Sequence, residues 1–451
     1  MIFKPLINGF SQFSNQVFLN DPEQSYTYSQ LSDEVGRQLE WLANQGVTRQ
    51  SIVFMNGDFS FAGIALFLAL YQNGNIIALN TADNPTEIRN KQAAVNPEFV
   101  IDIDRHQVRA YARAANPESP MIAELITQEH AGLVLFSSGT TGTPKAMLHD
   151  LDRLVGEFCG KRSRRLDIFL FLLFDHIGGI NTLLNILSIG GTATITASKT
   201  PDSVARLIEK HRITVLPTSP TFLNLMLINQ VFDTYDFSSL RMITYGTEPM
   251  PESLLHKLRE RLPRVKFLQT FGTSETGIIN TSSLSSDSLY MRFQEGSSEH
   301  KIVDGELWLR SATQVMGYLN HSMDSFTDDG WFKTGDLVEV NADGYLKILG
   351  RSKEIINVGG EKVYPAEVES VLLRHPQVRD CKAYGEANGL TGQFVAAQIV
   401  LDGDYGDSTA SVLRDIRDFA RRIMDAYKVP VRLKSVEAIQ YSTRFKKLLI
   451  D

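Results

Sequence analysis

The sequence predicts an α/β protein with doubly wound, mostly parallel sheets that carry helices on their faces. Strand-like segments such as SIVFM (51–55) and NIIAL (75–79) alternate with segments of helical periodicity. Such alternation is typical of parallel strands joined by helices. The chain has 451 residues, of which 43% are hydrophobic and 22% charged. Because domains usually comprise about 100–200 residues, we expect more than one domain.

The predicted elements follow one another along the N-terminal part. Leu31, Val35, Leu39 and Leu42 have helical spacing, and the helix they predict ends at a glycine. An apolar helix is predicted near 60–72, between the strands at 51–55 and 75–79. Further strands are predicted at 131–136, 167–174, 192–196, 213–217, 241–246 and 266–272.

The pattern of predicted elements changes after about residue 285. Short strand-like segments alternate with Gly and Asp turns, as in GELWLRS and GYLKILG, and predict a small antiparallel or barrel-like part. A further break falls at 350–365, and the last hundred or so residues predict a small α+β domain. We therefore predict an N-terminal domain over 1–350 and a mobile C-terminal lid over 351–451.

Composition excludes several classes of function. A formal charge of −7 argues against a nucleic-acid partner, because such proteins usually carry a basic face. Cys159 and Cys381 are too few for a disulfide framework and are expected to be reduced. The apolar runs at 61–71 and 168–174 are shorter than the roughly 20 residues of a membrane span. We expect a cytoplasmic protein without a transmembrane segment.

One loop, SSGTTGTPKA (137–146), has the composition of an anion-binding site. It follows an apolar strand, and successive backbone N–H groups of a glycine-rich turn form a nest for phosphate oxygens. It is not a Walker A loop, because its lysine is followed by alanine and only two residues separate its glycines, where that motif has four. The predicted phosphate ligands are Ser137, Ser138, Gly139, Thr140, Thr141, Gly142 and Lys145.

This loop resembles the phosphate loop of the adenylate-forming superfamily, which includes acyl-CoA synthetases, aryl-acid ligases, peptide-synthetase adenylation domains and luciferases. Four further segments resemble motifs of the superfamily in the same order, so the resemblance covers essentially the whole chain. They are YGTEPM (245–250), TFGTSETG (270–277), FKTGDL (332–337) and GRSKEIINVGGEKVYPAEVE (350–369).

The resemblance implies an ATP site and a Mg²⁺ site. Thr140 and Glu275 would hold the Mg²⁺ ion, Asp336 would bind the ribose hydroxyls, and Arg351 would add a contact. The YGTEPM turn would contact adenine, and Phe271 of the TFGTSETG segment would lie beside it. The residues of these two segments that would bind ATP are Gly246, Thr247, Glu248, Phe271, Gly272, Thr273 and Ser274.

A C-terminal lysine would bridge the acid carboxylate and the α-phosphate in the resembling enzymes. The tail YSTRFKKLLID departs from their pattern, since Lys446 stands where a glycine is expected. Lys447 is the favoured candidate and Lys446 the alternative. Lys353 would be the hinge of the lid, and Gly359 and Gly360 would leave room for a pantetheine arm once the lid has turned.

The segment LLFDHIGGINTLL (172–184) corresponds to the entry of the acid pocket, and two alignments stay open. His176 would border the carboxylate and thiol channel, as in fatty or aryl acid ligases. Asp175 would instead hold the α-ammonium group of an amino acid. Gly178 and Gly179 are expected to leave space beside them.

The resemblance therefore implies an AMP-forming acid–thiol ligase. It would use ATP and Mg²⁺ and transfer an acyl group to CoA or to the phosphopantetheine of an acyl carrier protein. Two alternatives stay open, namely an amino-acid-activating enzyme that loads a carrier domain and a nucleotide-binding protein that has lost catalysis. The sequence does not identify the acid, the acceptor or the oligomeric state.

Overall fold

The fold was analysed on a computed structural model, which describes residues 4–111, 119–137, 144–294, 296, 298–442, 445 and 447–448. The helices are α1 (Pro5–Asn8), α2 (Tyr28–Asn44), α3 (Phe61–Asn73), α4 (Pro85–Val95), α5 (Pro120–Thr127), α6 (Leu151–Gly156), α7 (Ile177–Ile189), α8 (Pro201–His211), α9 (Pro220–Ile228), α10 (Val231–Thr234), α11 (Glu252–Arg261), α12 (Pro365–Leu372) and α13 (Thr409–Arg421).

The strands of the N-terminal half are β1 (Val17–Asn20), β2 (Ser25–Thr27), β3 (Ile52–Asn56), β4 (Ile76–Asn80), β5 (Phe99–Asp102), β6 (Gln107–Ala110), β7 (Gly132–Ser137), β8 (Lys145–Asp150), β9 (Asp167–Phe169), β10 (Thr192–Thr194), β11 (Val215–Thr218), β12 (Met242–Tyr245) and β13 (Lys266–Gln269). Those that follow are β14 (Phe271–Thr273), β15 (Gly277–Ile279), β16 (Thr281–Ser283), β17 (Met291–Phe293), β18 (Ser298–Val303), β19 (Glu306–Ser311), β20 (Gly317–Tyr318), β21 (Phe332–Val340), β22 (Leu346–Arg351), β23 (Ile356–Val358), β24 (Glu361–Val363), β25 (Val378–Asn388), β26 (Gly392–Leu401), β27 (Arg432–Ser435), β28 (Gln440–Tyr441) and β29 (Lys447–Leu448).

Two seven-stranded sheets form the large N-terminal part. The first has the order β13-β12-β11-β9-β10-β1-β2 and is parallel except at the β1–β2 pair. The second has the order β20-β8-β7-β4-β3-β5-β6 and is parallel across its four central strands. Helices α2, α3 and α7 share one buried core with both sheets. The predicted fold class of mostly parallel, helix-covered sheets is confirmed.

The smaller parts have antiparallel sheets of their own. Strands β16 to β19 with β21 and β22 form a six-stranded antiparallel sheet, where the sequence predicted an antiparallel or barrel-like part. Strands β23 to β27 form a separate sheet against α12 and α13. Each described sheet takes all its strands either from residues up to Arg351, where β22 ends, or from residues after it. The predicted boundary at 350/351 falls one residue before the end of β22 and remains a prediction.

One predicted strand is much shorter than expected. The sequence predicted a strand over 167–174, but β9 ends at Phe169 and the chain then forms a loop that leads to α7. The loop has the apolar composition of a strand, since its side chains Phe171 and Phe174 are buried in the core. Its backbone is held by Asp58, whose carboxylate accepts a hydrogen bond from the Phe174 N–H at 3.0 Å. This loop carries Asp175 and His176 to the end of the first sheet.

In the part of the chain that the structure describes, no helix has the length and apolarity that a membrane crossing requires.

Candidate active site

The predicted phosphate loop joins two antiparallel strands of the second sheet. Ser137 ends β7 and pairs with Lys145, which begins β8. Residues 138–143, which include the predicted ligands Ser138, Gly139, Thr140, Thr141 and Gly142, lie outside the described residues. The Lys145 ammonium group lies 5.2 Å from the centre of the Tyr318 ring. The cation of the loop is therefore placed by an aromatic side chain of the adjoining strand β20.

Glu275 reaches the same tyrosine from another motif. The Tyr318 hydroxyl donates a hydrogen bond to Glu275 Oε1 at 3.1 Å, and the Glu275 carbonyl accepts one from the Val315 N–H at 2.8 Å. Burial and the nearby Glu275 carboxylate raise the pKa of Tyr318, so the phenol remains a donor at neutral pH. Tyr318 was missed by the sequence analysis, because it stands outside the motifs in an ordinary strand segment.

The carboxylate of Glu275 fits the proposed Mg²⁺ site. It is half-buried, its position is fixed by Tyr318, and carboxylate oxygens together with phosphate oxygens are the ligands that Mg²⁺ prefers. The second predicted ligand, Thr140, is outside the described residues.

The YGTEPM turn lies against the TFGTSETG segment. A Cβ atom on Gly246 would lie 2.7 Å from the Thr270 carbonyl oxygen, so only glycine allows β12 and β13 to end this close together. Thr247 follows with a φ of +71°, an unusual left-handed conformation for threonine. Glu248 Oε1 accepts a hydrogen bond from the Thr221 N–H at 2.7 Å, and burial raises the pKa of its carboxyl.

The TFGTSETG segment itself is a tight hairpin. Phe271 is half-buried and packs against Phe293, with ring centres 5.8 Å apart. A Cβ atom on Gly272 would lie 2.5 Å from the Gly277 carbonyl oxygen across the hairpin. Thr273 Oγ1 accepts a hydrogen bond from the Thr276 N–H at 3.1 Å. These contacts fix the backbone of Ser274 and Glu275 between the two strands β14 and β15.

Asp336 and Arg351 meet across two paired strands. They are direct partners in the register of β21 and β22, and Arg351 Nε lies 2.8 Å from Asp336 Oδ1. Arg351 also donates a hydrogen bond to the Thr334 carbonyl oxygen at 2.9 Å. Asp336 is buried whereas half of the Arg351 side chain is exposed. Asp336 and Arg351, which the sequence analysis assigned to the ribose site, are therefore neighbours in the structure.

His176 and Asp175 face different surroundings. His176 caps α7, where its Nδ1 accepts a hydrogen bond from the Gly178 N–H at 3.0 Å. An accepting Nδ1 leaves the proton of a neutral ring on Nε2, which makes Nε2 a donor. Asp175 is buried and lies 3.5 Å from the ammonium group of the equally buried Lys91.

Lys91 was missed by the sequence analysis, because the segment PTEIRNKQ has the pattern of a surface helix. Its ammonium group also donates to Asn80 Oδ1 at 2.8 Å and pairs with Glu87 at 2.9 Å. Asp175 therefore has a cation of this chain beside it.

The predicted role of Gly178 and Gly179 as space for a substrate is wrong. A Cβ atom on Gly179 would lie 2.1 Å from the Leu173 carbonyl oxygen, and one on Gly178 would lie 2.6 Å from Leu172 Cδ1. The room beside these glycines is filled by the preceding loop, which must pass close to the first turn of α7.

A Gly179→Ala substitution should therefore destabilise the protein by about 1–3 kcal/mol, since its methyl group would overlap backbone atoms. Chemical denaturation of this variant beside Gly156→Ala, where a Cβ atom would meet nothing within 4 Å, checks this. Equal midpoints for the two variants would contradict it.

A cavity of about 360 Å³ begins next to these segments. The residues of α7 that line it are Ile177, Ile180, Asn181, Thr182, Leu184 and Asn185. The lining also includes Thr244 and Ile278, which adjoin the YGTEPM and TFGTSETG segments, and Thr270 and Gly277, which belong to the second of them. Asp175, His176, Gly178 and Gly179 are not among its lining residues. The pocket next to the predicted entry is therefore formed by the following turns of the helix.

Lys447 lies in a buried cluster of charges. Its ammonium group is 2.8 Å from Asp380 Oδ1 and 3.8 Å from Glu369 Oε2, and it donates to the Cys381 carbonyl oxygen at 2.8 Å. Burial alone would lower the pKa of Lys447, but Glu369 and Asp380 outweigh it and raise the pKa above its ordinary value. Lys447 is therefore charged at neutral pH. Lys446 lies outside the described residues.

This cluster lies where the C-terminal part contacts the N-terminal part. Asn224 of α9 donates a hydrogen bond to Asp380 Oδ1 at 3.1 Å. The ring of Phe445 packs on Phe171 and Phe222, with centres 5.2 and 4.9 Å apart. The charge of Lys447 also lowers the pKa of Glu248 in the YGTEPM turn, against the larger effect of burial. The tail that carries Lys447 thus lies next to the predicted nucleotide site.

The residues predicted to form the hinge and the thiol channel lie on exposed backbone. Lys353 is in a short 3₁₀ turn, Ser352–Glu354, directly after β22. Gly359 and Gly360 form the turn between β23 and β24 with φ of +61° and +96°, which explains the choice of glycine at both positions. Neither glycine contacts the N-terminal part within 4 Å of a Cβ position. Their roles in a turned lid remain predictions.

His149 lies on β8, the strand that follows the predicted phosphate loop. It is completely buried, and burial lowers its pKa to about 4, although backbone groups of Ser274 and Thr313 act in the opposite direction. The ring is therefore neutral in the folded protein.

The free energy of unfolding should consequently fall as the pH decreases from about 6.5 to about 4, because the unfolded chain binds the proton first. The loss attributable to His149 is up to about 3 kcal/mol. Denaturation measured across this pH range for His149→Gln should show a weaker dependence than for the exposed control His256→Gln. Identical pH profiles for the two variants would contradict this assignment.

Both parts of the chain are similar to known protein families. Residues 9–319 match the AMP-binding enzyme family, and residues 367–446 match the AMP-binding enzyme C-terminal domain. The chain is 30% identical over 340 residues to the probable CoA ligase CCL5 of Humulus lupulus, covering 69% of this chain and 61% of that protein. It is 27% identical over 459 residues to 2-succinylbenzoate–CoA ligase of Bacillus cereus, covering 95% and 92%.

The fold is similar to that of a solved anthranilate CoA ligase, AuaEII, in complex with anthranoyl-AMP. The TM-score is 0.82 at 22% identity, with 99% of this chain and 96% of that chain covered. The chain spans about three fifths of the length of the plant relatives that it matches first.

Proposed function

Because the chain belongs to the AMP-binding enzyme family, we propose that it joins a carboxylic acid to a thiol at the expense of ATP. Membership of the family confirms the resemblance that the motifs predicted. In the proposed first step the acid carboxylate attacks the α-phosphorus of ATP, an acyl-adenylate forms and pyrophosphate leaves. In the second step a thiol loses its proton and attacks the acyl carbonyl carbon, and AMP leaves.

The main support for this proposal is that residues of two motifs contact one side chain, that of Tyr318. Lys145 belongs to the phosphate loop and Glu275 to the TFGTSETG segment, and both contact Tyr318. Lys145, which would bind phosphate oxygens, and Glu275, which would bind Mg²⁺, therefore contact the same aromatic side chain. Neutralising charge on a leaving pyrophosphate needs both, because the attacking carboxylate and the polyphosphate are anions.

The remaining polar groups fit the other parts of the substrates. Asp336 would accept hydrogen bonds from ribose hydroxyls, and Arg351, which pairs with it, would hold its orientation. His176 Nε2–H would donate to the acid carboxylate while Nδ1 accepts from the backbone. Mg²⁺ bound at Glu275 would neutralise phosphate charge and fix the pyrophosphate for departure.

The surroundings of Asp175 support an ordinary carboxylic acid over an α-amino acid. An α-ammonium group bound by Asp175 would have to compete with Lys91, which is 3.5 Å away and buried. Bringing a second cation into that cluster would be costly, since buried like charges repel at low dielectric. We therefore favour His176 as the residue that borders the acid.

CoA is the acceptor that we propose first, because the curated relatives that the chain matches bear the names of CoA ligases. The phosphopantetheine of an acyl carrier protein has the same thiol, and the second arm of the test covers it.

Pyrophosphate release from Mg·ATP should be measured with the purified protein across aryl, aliphatic and amino acids. Thioester formation with free CoA and with a phosphopantetheinylated carrier protein is measured in parallel. Release that depends on a carboxylic acid, followed by a CoA thioester, is the expected result. Release that depends only on amino acids would overturn the choice of His176. ATP binding without release on any acid would support a protein that has lost catalysis.

A further inference from the structure

The groups proposed to bind the two reactants belong to different sheets. The predicted phosphate loop joins β7 and β8 of the second sheet, whereas the turn that carries His176 lies between β9 and α7, at the end of the first sheet. Attack on the α-phosphorus requires the acid and ATP to be aligned, and a misplacement of about 1 Å can cost about 100-fold in rate. Contacts that join the two sheets beside His176 therefore bear directly on the proposed reaction.

Asp58 makes the first of these contacts. It lies in the loop after β3 of the second sheet, and its Oδ1 accepts a hydrogen bond from the Phe174 N–H at 3.0 Å. Its other oxygen, Oδ2, lies 3.2 Å from the ammonium group of Lys199, which follows β10 of the first sheet. The Phe59 ring also stacks on the Phe174 ring, with centres 4.2 Å apart. The turn is thus attached to the second sheet two residues before His176.

Lys91 makes the second contact, at the next residue of the turn. Its ammonium group lies 3.5 Å from Asp175 Oδ2 and donates a hydrogen bond at 2.8 Å to Oδ1 of Asn80, the last residue of β4. The same group lies 5.6 Å from the centre of the Phe136 ring. Phe136 belongs to β7, the strand that leads into the predicted phosphate loop. Lys91 therefore connects the turn with that strand.

Two contacts at consecutive residues fix the direction of the turn as well as its position. Both side chains of the Lys91–Asp175 pair are buried, but a single contact would leave the turn free to pivot about Asp175. The hydrogen bond from the Phe174 N–H to Asp58 prevents this pivot. Asp58 itself is half-buried, so its replacement should leave the core intact.

We propose that Asp58 is a positioning residue for the first step of the proposed reaction. It keeps His176 Nε2 in a fixed place relative to the phosphate loop, so that the acid carboxylate is aligned with the α-phosphorus. The inference rests on the proposed function for its effect on rate. The attachment of the turn can be tested without any turnover.

The kinetic test compares Asp58→Ala with Asp58→Asn by pyrophosphate release. Asp58→Ala should lower kcat/KM for the acid by about 10–100-fold and leave the KM for ATP unchanged, because the turn and not the phosphate loop loses its support. Asp58→Asn should recover most of the loss, since its amide oxygen can still accept from the Phe174 N–H. Asp236→Ala is the matched control. Asp236 likewise accepts from a backbone N–H, that of Ser238, and pairs with Arg212, but it precedes the start of β12.

Hydrogen exchange of the backbone amides of residues 172–178 is measured in parallel by mass spectrometry. Exchange there should be faster in Asp58→Ala than in the wild type, and unchanged in Asp58→Asn and Asp236→Ala. This result supports the attachment even if no acid is adenylated, in which case only the proposed function fails. Unchanged exchange in Asp58→Ala would overturn the inference. So would equal kinetic losses in Asp58→Ala and Asp236→Ala, or a loss that falls on the KM for ATP.

Discussion

Replacing Lys447 with methionine should both destabilise the protein and abolish acid-dependent pyrophosphate release. The ammonium group is nearly buried and serves two buried carboxylates, Asp380 and Glu369. Without it these carboxylates would repel each other in a poorly solvated site. Breaking a buried ion pair on one side typically costs about 3–5 kcal/mol. If the lysine also bridges the acid and the α-phosphate, the loss in rate should be on the order of 10²–10³-fold.

The neighbouring lysine provides the matched control. Lys446→Met should keep most of the rate, because Lys447 is the residue that the family pattern favours. Lys447→Arg separates the two roles, since arginine keeps a charge for the carboxylates but places it differently. We expect it to recover stability more than rate.

Urea denaturation and single-turnover adenylation, both below the melting temperature of each variant, are the measurements. A destabilised Lys447→Met protein with an unchanged rate would make Lys447 a structural residue and transfer the catalytic assignment to Lys446. Unchanged stability would contradict the ion-pair cluster itself.

Glu275→Gln should have the second largest effect. The substitution keeps the shape of the side chain and its contact with Tyr318 but removes the negative charge that Mg²⁺ needs. We expect pyrophosphate release to fall about 10²–10³-fold and the Mg²⁺ concentration for half-maximal rate to rise. The readout is the rate of ATP–pyrophosphate exchange as a function of Mg²⁺ concentration.

Tyr318→Phe is the graded control for this prediction. It removes the hydroxyl that donates to Glu275 Oε1 and retains the ring beside Lys145. A residue that orients a metal ligand typically contributes about 10–100-fold, so the effect should be smaller than that of Glu275→Gln. If both variants retain the wild-type dependence on Mg²⁺, Glu275 does not hold the ion.

Much of the fold could be predicted from local pattern. Apolar strand-like runs that alternate with helical segments predicted the parallel strands β3, β4 and β11 to β13. The signal is clear because a strand buried on both faces is a continuous apolar run. The same signal failed at 170–174, where an apolar run is a buried loop. Hydrophobicity reports burial, and only hydrogen-bond partners such as Asp58 distinguish a buried loop from a strand.

The candidate site, like the fold, could be predicted from the sequence only in part. Asp336 and Arg351 could be assigned from the motifs, and their pairing follows from the hairpin that holds them. Gly178 and Gly179 were assigned to a pocket, but the Leu172 side chain fills the space beside Gly178 and the backbone of residues 172–173 fills that beside Gly179. A glycine in the sequence shows that no side chain is present, but not which atoms fill the space beside it.

The sequence by itself determined the fold class, the order of the motifs and the chemical types of the site residues, because these depend on periodicity and on short segments of chain. The tertiary structure alone decided which distant groups meet. Tyr318 links Lys145 to Glu275, Lys91 approaches Asp175, and Asp380 holds Lys447. The reason is physical: these contacts join residues more than 40 positions apart, and their energies depend on burial and distance, which no local pattern encodes.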